Sequence, residues 1–153
     1  MPPCDKLAGI RVLVVEDEAL VSMLLEDFLA DLGCTVVAVA ATLAKGLDLV
    51  RDPALAVDGA TLDVNLGGEK VFPIADLLRD RGIPFVFATG YGRNGLPPRF
   101  ADCSVIPKPF GIEPLKATLL SAWTDLIHPA DILVQPGLDP PDILIPPGLD
   151  PRG

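Results

Sequence analysis

The residues Ile10 to Val15 are aliphatic at every position but Arg11, and the run stops abruptly at Glu16-Asp17-Glu18. A strand with one face in water alternates apolar and polar side chains. This one does not, so it reads as a strand buried on both faces. Strands of that kind belong to parallel sheets, whose neighbours must be joined by long crossovers, usually helices. The remaining chain is thereby constrained to deliver helices and further strands in alternation.

Val21, Leu24, Leu25, Phe28, Leu29 and Leu32 fall at i, i+3, i+4, i+7, i+8 and i+11, an apolar helical stripe that ends at Gly33. Cys34 to Ala40 predicts a second strand, Thr42 an N-cap, and Leu43, Leu47 and Val50 a shorter helix ending near Asp52-Pro53. A third strand over roughly Gly59 to Val64 precedes a helix carrying Ile74, Leu77 and Leu78. That helix ends at Gly82 and holds Pro73 in its first turn, where a missing N–H is tolerated. Pro84 to Ala88 and Cys103 to Ile106 predict strands four and five, and Ile112, Leu115, Leu119, Leu120, Trp123 and Leu126 a last amphipathic helix. The fourth crossover breaks the pattern. Between Thr89 and Asp102 it holds Gly90, Gly92, Gly95 and Pro97-Pro98, which predicts a loop or at most one or two helical turns. The expected fold class is α/β, a five-stranded doubly wound parallel sheet with the fourth helix shortened or absent.

Open α/β sheets hold their ligands at the carboxyl ends of the strands. Here those ends are Glu16 and Asp17 after strand one, Asp63 on strand three with a flexible glycine loop behind it, Thr89 after strand four, and Lys108-Pro109 after strand five. Three carboxylates at one edge repel and raise one another's pKa. A hard divalent cation relieves them, and Mg2+ with several waters retained is the expected ion. A lysine ammonium and a threonine hydroxyl beside them can hold the equatorial oxygens of a phosphoryl group. The set therefore describes an aspartate that is phosphorylated. Glu18 reads as a helix-start acid favoured by the dipole, Trp123 as packing of the last helix, and His128 as solvent-exposed beyond it.

Composition narrows the partners. With 153 residues, half of them apolar, the chain is one domain's worth and can bury a core. A net charge of −9 with only 12 scattered Lys and Arg argues against a nucleic-acid partner. Cys4, Cys34 and Cys103 are odd in number and far apart, which indicates neither a disulfide framework nor a zinc site. Met1 to Leu7 has no apolar signal core, and no run approaches the ~18 residues needed to span a bilayer. A cytoplasmic protein with no membrane partner is expected.

Val14-Val15-Glu16-Asp17-Glu18, Leu62-Asp63, Ala88-Thr89-Gly90 and Ile106-Pro107-Lys108-Pro109-Phe110 together resemble, in order and spacing, the receiver domain of two-component response regulators, over about residues 8–127. Phe87-Ala88-Thr89-Gly90-Tyr91-Gly92 with Lys108-Pro109-Phe110 is further similar to the FATGUY subgroup of receivers, commonly stand-alone and alphaproteobacterial, several of them tied to the general stress response. The resemblance implies a flavodoxin-like fold and a set of roles. Asp63 takes a phosphoryl group from the phosphohistidine of a histidine kinase or histidine phosphotransfer protein. Asp17 ligates Mg2+ directly, Glu16 does so through water, and the main-chain carbonyl of Asn65 adds a ligand. Thr89 hydrogen-bonds the phosphoryl oxygen, Lys108 pairs with it from a cis Lys108–Pro109 peptide, and Gly90 leaves room for it to enter. Such a protein is not an enzyme beyond its own phosphorylation and dephosphorylation, and it signals to a downstream protein target.

Two departures from the family pattern stand out. Most receivers carry an aromatic switch residue three positions before the lysine, and here that position is Val105. Tyr91, the only tyrosine, is the natural substitute, expected to move with its glycine-rich loop when Thr89 is drawn to the phosphoryl group. Past the receiver, residues 128–153 form a Pro-rich tail with an eleven-residue repeat, Asp131-Ile132-Leu133-Val134 and Asp142-Ile143-Leu144-Ile145, each followed by a Gly-Leu-Asp-Pro. It is too short and too rich in proline for a DNA-binding effector. Either it is a solvated tail, or its apolar triplets dock on the receiver, on a second copy to give a homo-oligomer, or on a partner. The start a few residues before strand one and the repeated tail fit a complete small protein. Competing roles are a phosphorelay intermediate or phosphate sink and a receiver cut from a hybrid kinase. A haloacid-dehalogenase-like phosphatase also pairs an Asp nucleophile with Mg2+, but it wants that Asp on the first strand with a second acid two residues on. Here Asn65 stands two beyond Asp63.

Overall fold

The computed structural model describes residues 5–90 and 92–127. Tyr91, His128 and the repeat of residues 128–153 lie outside the described residues. Five parallel strands, β1 (Arg11–Val15), β2 (Thr35–Ala40), β3 (Gly59–Asp63), β4 (Phe85–Thr89) and β5 (Val105–Pro107), form one sheet in the order β2-β1-β3-β4-β5. The crossovers are α1 (Ala19–Asp31), α2 (Leu43–Arg51) and α3 (Phe72–Asp80), and α4 (Ile112–Ala122) follows β5. The sheet is doubly wound, as the alternation predicts, and its order is the flavodoxin-like one that the resemblance implies.

Alternate strand residues feed two apolar layers. Val12, Val14 and Val86 face α1 and α4, where Leu25, Leu29, Leu115, Leu119 and Trp123 close over them. Leu13, Val15, Leu62, Phe85 and Phe87 face α2 and α3, against Val50, Ile74, Leu78 and Phe100. Leu7, in a 3-10 turn at Asp5–Leu7 just ahead of residue 8, is fully buried in the first of these layers. Thr42 caps α2 by accepting the Lys45 N–H at 3.1 Å, and Pro73 sits in the first turn of α3.

Three local expectations are corrected. Asp63 is followed not by a flexible loop but by a two-stranded antiparallel hairpin, Asn65–Leu66 with Glu69–Lys70, turned by Gly67 and Gly68. The stripe of α1 is displaced: Ser22, Leu25 and Leu29 face the sheet, and Leu24 is 44% exposed. Val21 and Leu24 lie instead along a groove with Pro109 and Phe110, and Phe28 sits 6.4 Å from the Phe110 ring, so this flank is covered only by a short loop. The last helix stops at Ala122 rather than Leu126: the backbone leaves the helical range at Trp123, with φ −105° and ψ 33°, and the Thr124 hydroxyl donates to the Ser121 carbonyl at 2.9 Å.

Between Thr89 and Asp102 the described residues hold two 3-10 turns, Gly92–Gly95 and Pro98–Phe100, in place of a helix. Phe100 substitutes for the missing packing. Its ring lies 5.5–5.8 Å from those of Phe72, Phe85 and Phe87, and Arg79 caps it at 4.6 Å. Arg99 pairs bidentately with Asp76 on α3 at 2.9 Å, and Arg93 donates to the carbonyls of Ala101 and Cys103.

Candidate functional site

The register of the sheet brings the strand ends together. Val15 lies opposite both Ala40 and Leu62, Asp63 opposite Ala88, and Thr89 opposite Pro107. The residues following β1, ending β3 and following β5 therefore share one pocket, lined by Asp17, Glu18, Asp63, Asn65, Thr89, Gly90 and Lys108. Asp63 and Thr89 are its buried residues, Asp17 is exposed, and Glu16 is buried beside it against Lys108.

One carboxylate oxygen from each of Glu16, Asp17 and Asp63 lies within 4.8 Å of the others. Lys108 reaches into this cluster. Its Nζ is 2.9 Å from Glu16 Oε1 and 3.2 Å from Asp63 Oδ2. The lysine is steadied by its backbone, whose N–H donates to the Thr89 carbonyl at 3.0 Å, and Lys108–Pro109 is cis. Main-chain donors serve the acids as well. Glu18 N–H donates to Glu16 Oε2, Asn65 N–H to Asp63 Oδ1, and Gly67 N–H to Asp17 Oδ2 at 3.0 Å. Glu18 holds the N-cap position of α1 without a side-chain cap bond.

The electrostatics single out Asp63. Burial and then the charge of Glu16 push its carboxyl from the ordinary 3.8 up to about 7, with Lys108 acting in the opposite sense. Burial pulls the Lys108 ammonium down, but the Glu16 hydrogen bond and the Asp63 charge outweigh it and leave the pKa raised. One cation against three acids leaves excess negative charge. Three hard oxygen donors around a single point suit a divalent cation of the Mg2+ type, so the residues present fit the ion.

Asp17, Asp63, Asn65, Thr89 and Lys108 line this pocket and Glu16 is buried against Lys108, whereas Tyr91 is outside the described residues. Sequence reasoning missed Gly67, whose N–H reaches Asp17. A Gly-Gly pair between two short runs is a hairpin signal that could have found it. It also missed the exposed apolar side chains of α1, where Leu20 is 81% and Met23 60% exposed.

Known structures resemble this one. The solution structure of SdrG from Sphingomonas melonis Fr1 is 44% identical, covering 76% of this chain and 97% of that one with a TM-score of 0.66. The BeF3-activated conformation of SdrG from Pseudomonas melonis Fr1 is likewise 44% identical, over 76% and 98% of the two chains, at 0.64. The receiver domain of the PhyR response regulator from Erythrobacter litoralis is 26% identical, over 76% and 92%, at 0.62. No protein-family model matches the chain, and no curated protein does.

Proposed function

This chain belongs to the receiver domains of response regulators, and on that premise we propose that it accepts a phosphoryl group on Asp63 and signals by changing its protein contacts in the cytoplasm. The observation that carries this is the Lys108 ammonium bridging Glu16 and Asp63 where three acids converge. An Asp63 carboxylate oxygen attacks the phosphorus of a phosphohistidine, the P–N bond breaks, and the imidazole nitrogen keeps the electron pair. The pocket does this by positioning and charge neutralisation. Lys108 holds one phosphoryl oxygen, Thr89 another, and the Asn65 N–H keeps Asp63 in place. Glu16, Asp17, Asp63 and the Asn65 carbonyl would hold Mg2+, which supplies positive charge against the phosphoryl oxygens.

The exposed Leu20, Met23 and Leu24 on α1, a helix that begins directly after the pocket-lining Glu18, offer an apolar seat for a histidine kinase or phosphotransfer protein, and so support a protein donor over a small molecule. The motifs around Thr89 and Lys108, with the helix-free fourth crossover, support the FATGUY subgroup. Val105 cannot act as an aromatic switch, and Tyr91 takes that role. Unchanged target binding by phosphorylated Tyr91→Ala would remove it from the switch.

The central test is phosphotransfer from histidine kinases with Mg2+, using Asp63→Asn as the blank, and beryllofluoride binding, since SdrG has a BeF3-activated form. One stable acyl phosphate per chain, absent in Asp63→Asn, is expected. Label on the Asp63→Asn chain, or phosphate release from acetyl phosphate that persists in Asp63→Asn, would overturn it in favour of another acceptor or a phosphatase.

A further inference from the structure

The hairpin between β3 and α3 enters the roles above only through Asn65, whose N–H holds Asp63 and whose carbonyl would hold the cation. Its base is fixed: Val71 N–H donates to the Val64 carbonyl at 3.0 Å, and Val64, Leu66 and Val71 are buried in the layer under α2 and α3. Its turn is fixed as well. Gly67 and Gly68 have φ of 60° and 97°, and Gly68 N–H donates to Asn65 Oδ1 at 3.2 Å. What the hairpin presents to the pocket is the Gly67 N–H, 3.0 Å from Asp17 Oδ2. Lys108 holds Glu16 and Asp63, but Asp17 is the exposed acid, on the segment between β1 and α1. An ionised carboxylate accepts about four hydrogen bonds, so one N–H at Oδ2 leaves room for a cation.

We propose that Gly67 is a positioning residue for the cation site: its main-chain N–H fixes Asp17 so that all three acids address one divalent ion, with the hairpin as the arm that carries it. This rests on the cation-binding role given to the three acids above. Groups that orient a ligating side chain typically contribute about 10- to 100-fold in metal affinity.

Two variants test the arm, one keeping both the N–H and the turn and the other losing both, and the wild-type amide isolates the N–H. Gly67→Asn keeps the N–H and tolerates the left-handed φ, with no atom within 4 Å of the new Cβ. Gly67→Pro removes the N–H and cannot adopt that φ. The full chain is titrated with Mg2+ by calorimetry, and the wild-type backbone amides are followed by NMR in the same titration. Affinity within about threefold of wild type is expected for Gly67→Asn, and a loss of about tenfold or more for Gly67→Pro. In the wild type the Gly67 amide should shift along the same saturation curve as the Asp63 amide. Wild-type affinity in Gly67→Pro, or a Gly67 amide that stays still while Mg2+ binds, overturns the proposal. If Gly67→Pro does not fold, the wild-type amide titration decides alone. Failure of the wild type to bind Mg2+ at all is a different result, which removes the cation site and the proposal with it.

Discussion

The Lys108 ammonium lies closer to Glu16 Oε1, at 2.9 Å, than to Asp63 Oδ2, at 3.2 Å. Glu16 is 2% exposed, so Lys108 is the counter-charge that allows this acid to be buried. Removing one partner of a buried pair leaves the other uncompensated, at a cost of about 3 kcal/mol. Lys108→Met should therefore lower unfolding free energy by about that amount in EDTA, and Mg2+ should recover part of the loss. Denaturant titrations with and without Mg2+ check this. A Lys108→Met chain as stable as wild type in EDTA would show that the ammonium is not what keeps Glu16 buried.

Asp63 makes the opposite kind of contribution. Its carboxyl is raised from 3.8 to about 7, chiefly by burial. Between those values the folded chain binds a proton that the unfolded chain does not, so stability falls as pH rises through the interval and levels off above about 7. Asp63→Asn is neutral throughout. It should match wild type near pH 3.5 and exceed it progressively, by about 1 to 2 kcal/mol at pH 8 after allowing for solvent on the open side of the pocket. Thermal unfolding in EDTA across this range measures the gap. A gap that shrank with rising pH would contradict the burial.

The fourth crossover is held by Phe100 more than by its ion pair. The Phe100 side chain is fully buried against three other rings, while Arg99 and Asp76 are about half exposed. Truncating a buried aromatic costs about 3 to 5 kcal/mol. Phe100→Ala should fall in that range and Arg99→Ala well below it, since exposed ion pairs are screened by water. Chemical denaturation of both variants checks the order, and Arg99→Ala being the more damaging would reverse the assignment.

The strand ends could be read from sequence because each aliphatic run stops at a polar residue, and parallel register then carries Glu16, Asp63, Thr89 and Lys108 to one edge. What periodicity could not decide is which neighbour covers a helical stripe. Leu24 has the spacing of a core residue, yet it faces a groove that Pro109 and Phe110 only partly fill. The hairpin escaped for a different reason. Two strands of two residues, Asn65–Leu66 and Glu69–Lys70, are too short to show alternation, so only the glycine pair marks them. Leu126 failed as a helical residue because the backbone leaves the helical range at Trp123, which apolar spacing does not mark.

Gly59 opens β3 directly beneath the last helix. A Cβ built there would lie 2.9 Å from Trp123 Cε2 and Cζ2 and 3.3 Å from Leu126 Cδ1. Trp123 is fully buried and belongs to the apolar layer under α1 and α4, so it cannot swing into solvent to make room. Its Nε1 is buried without a hydrogen-bond partner among the described residues, so among these packing sets the position of the indole. Gly59→Ala should therefore overpack the layer and cost about 1 to 3 kcal/mol. Because Trp123 is the only tryptophan, its fluorescence reports the displacement directly. Trp123→Phe removes the atoms that clash, so the double variant should lose less than the sum of the two single losses. Strict additivity would mean that Gly59 is small for some reason other than the indole above it.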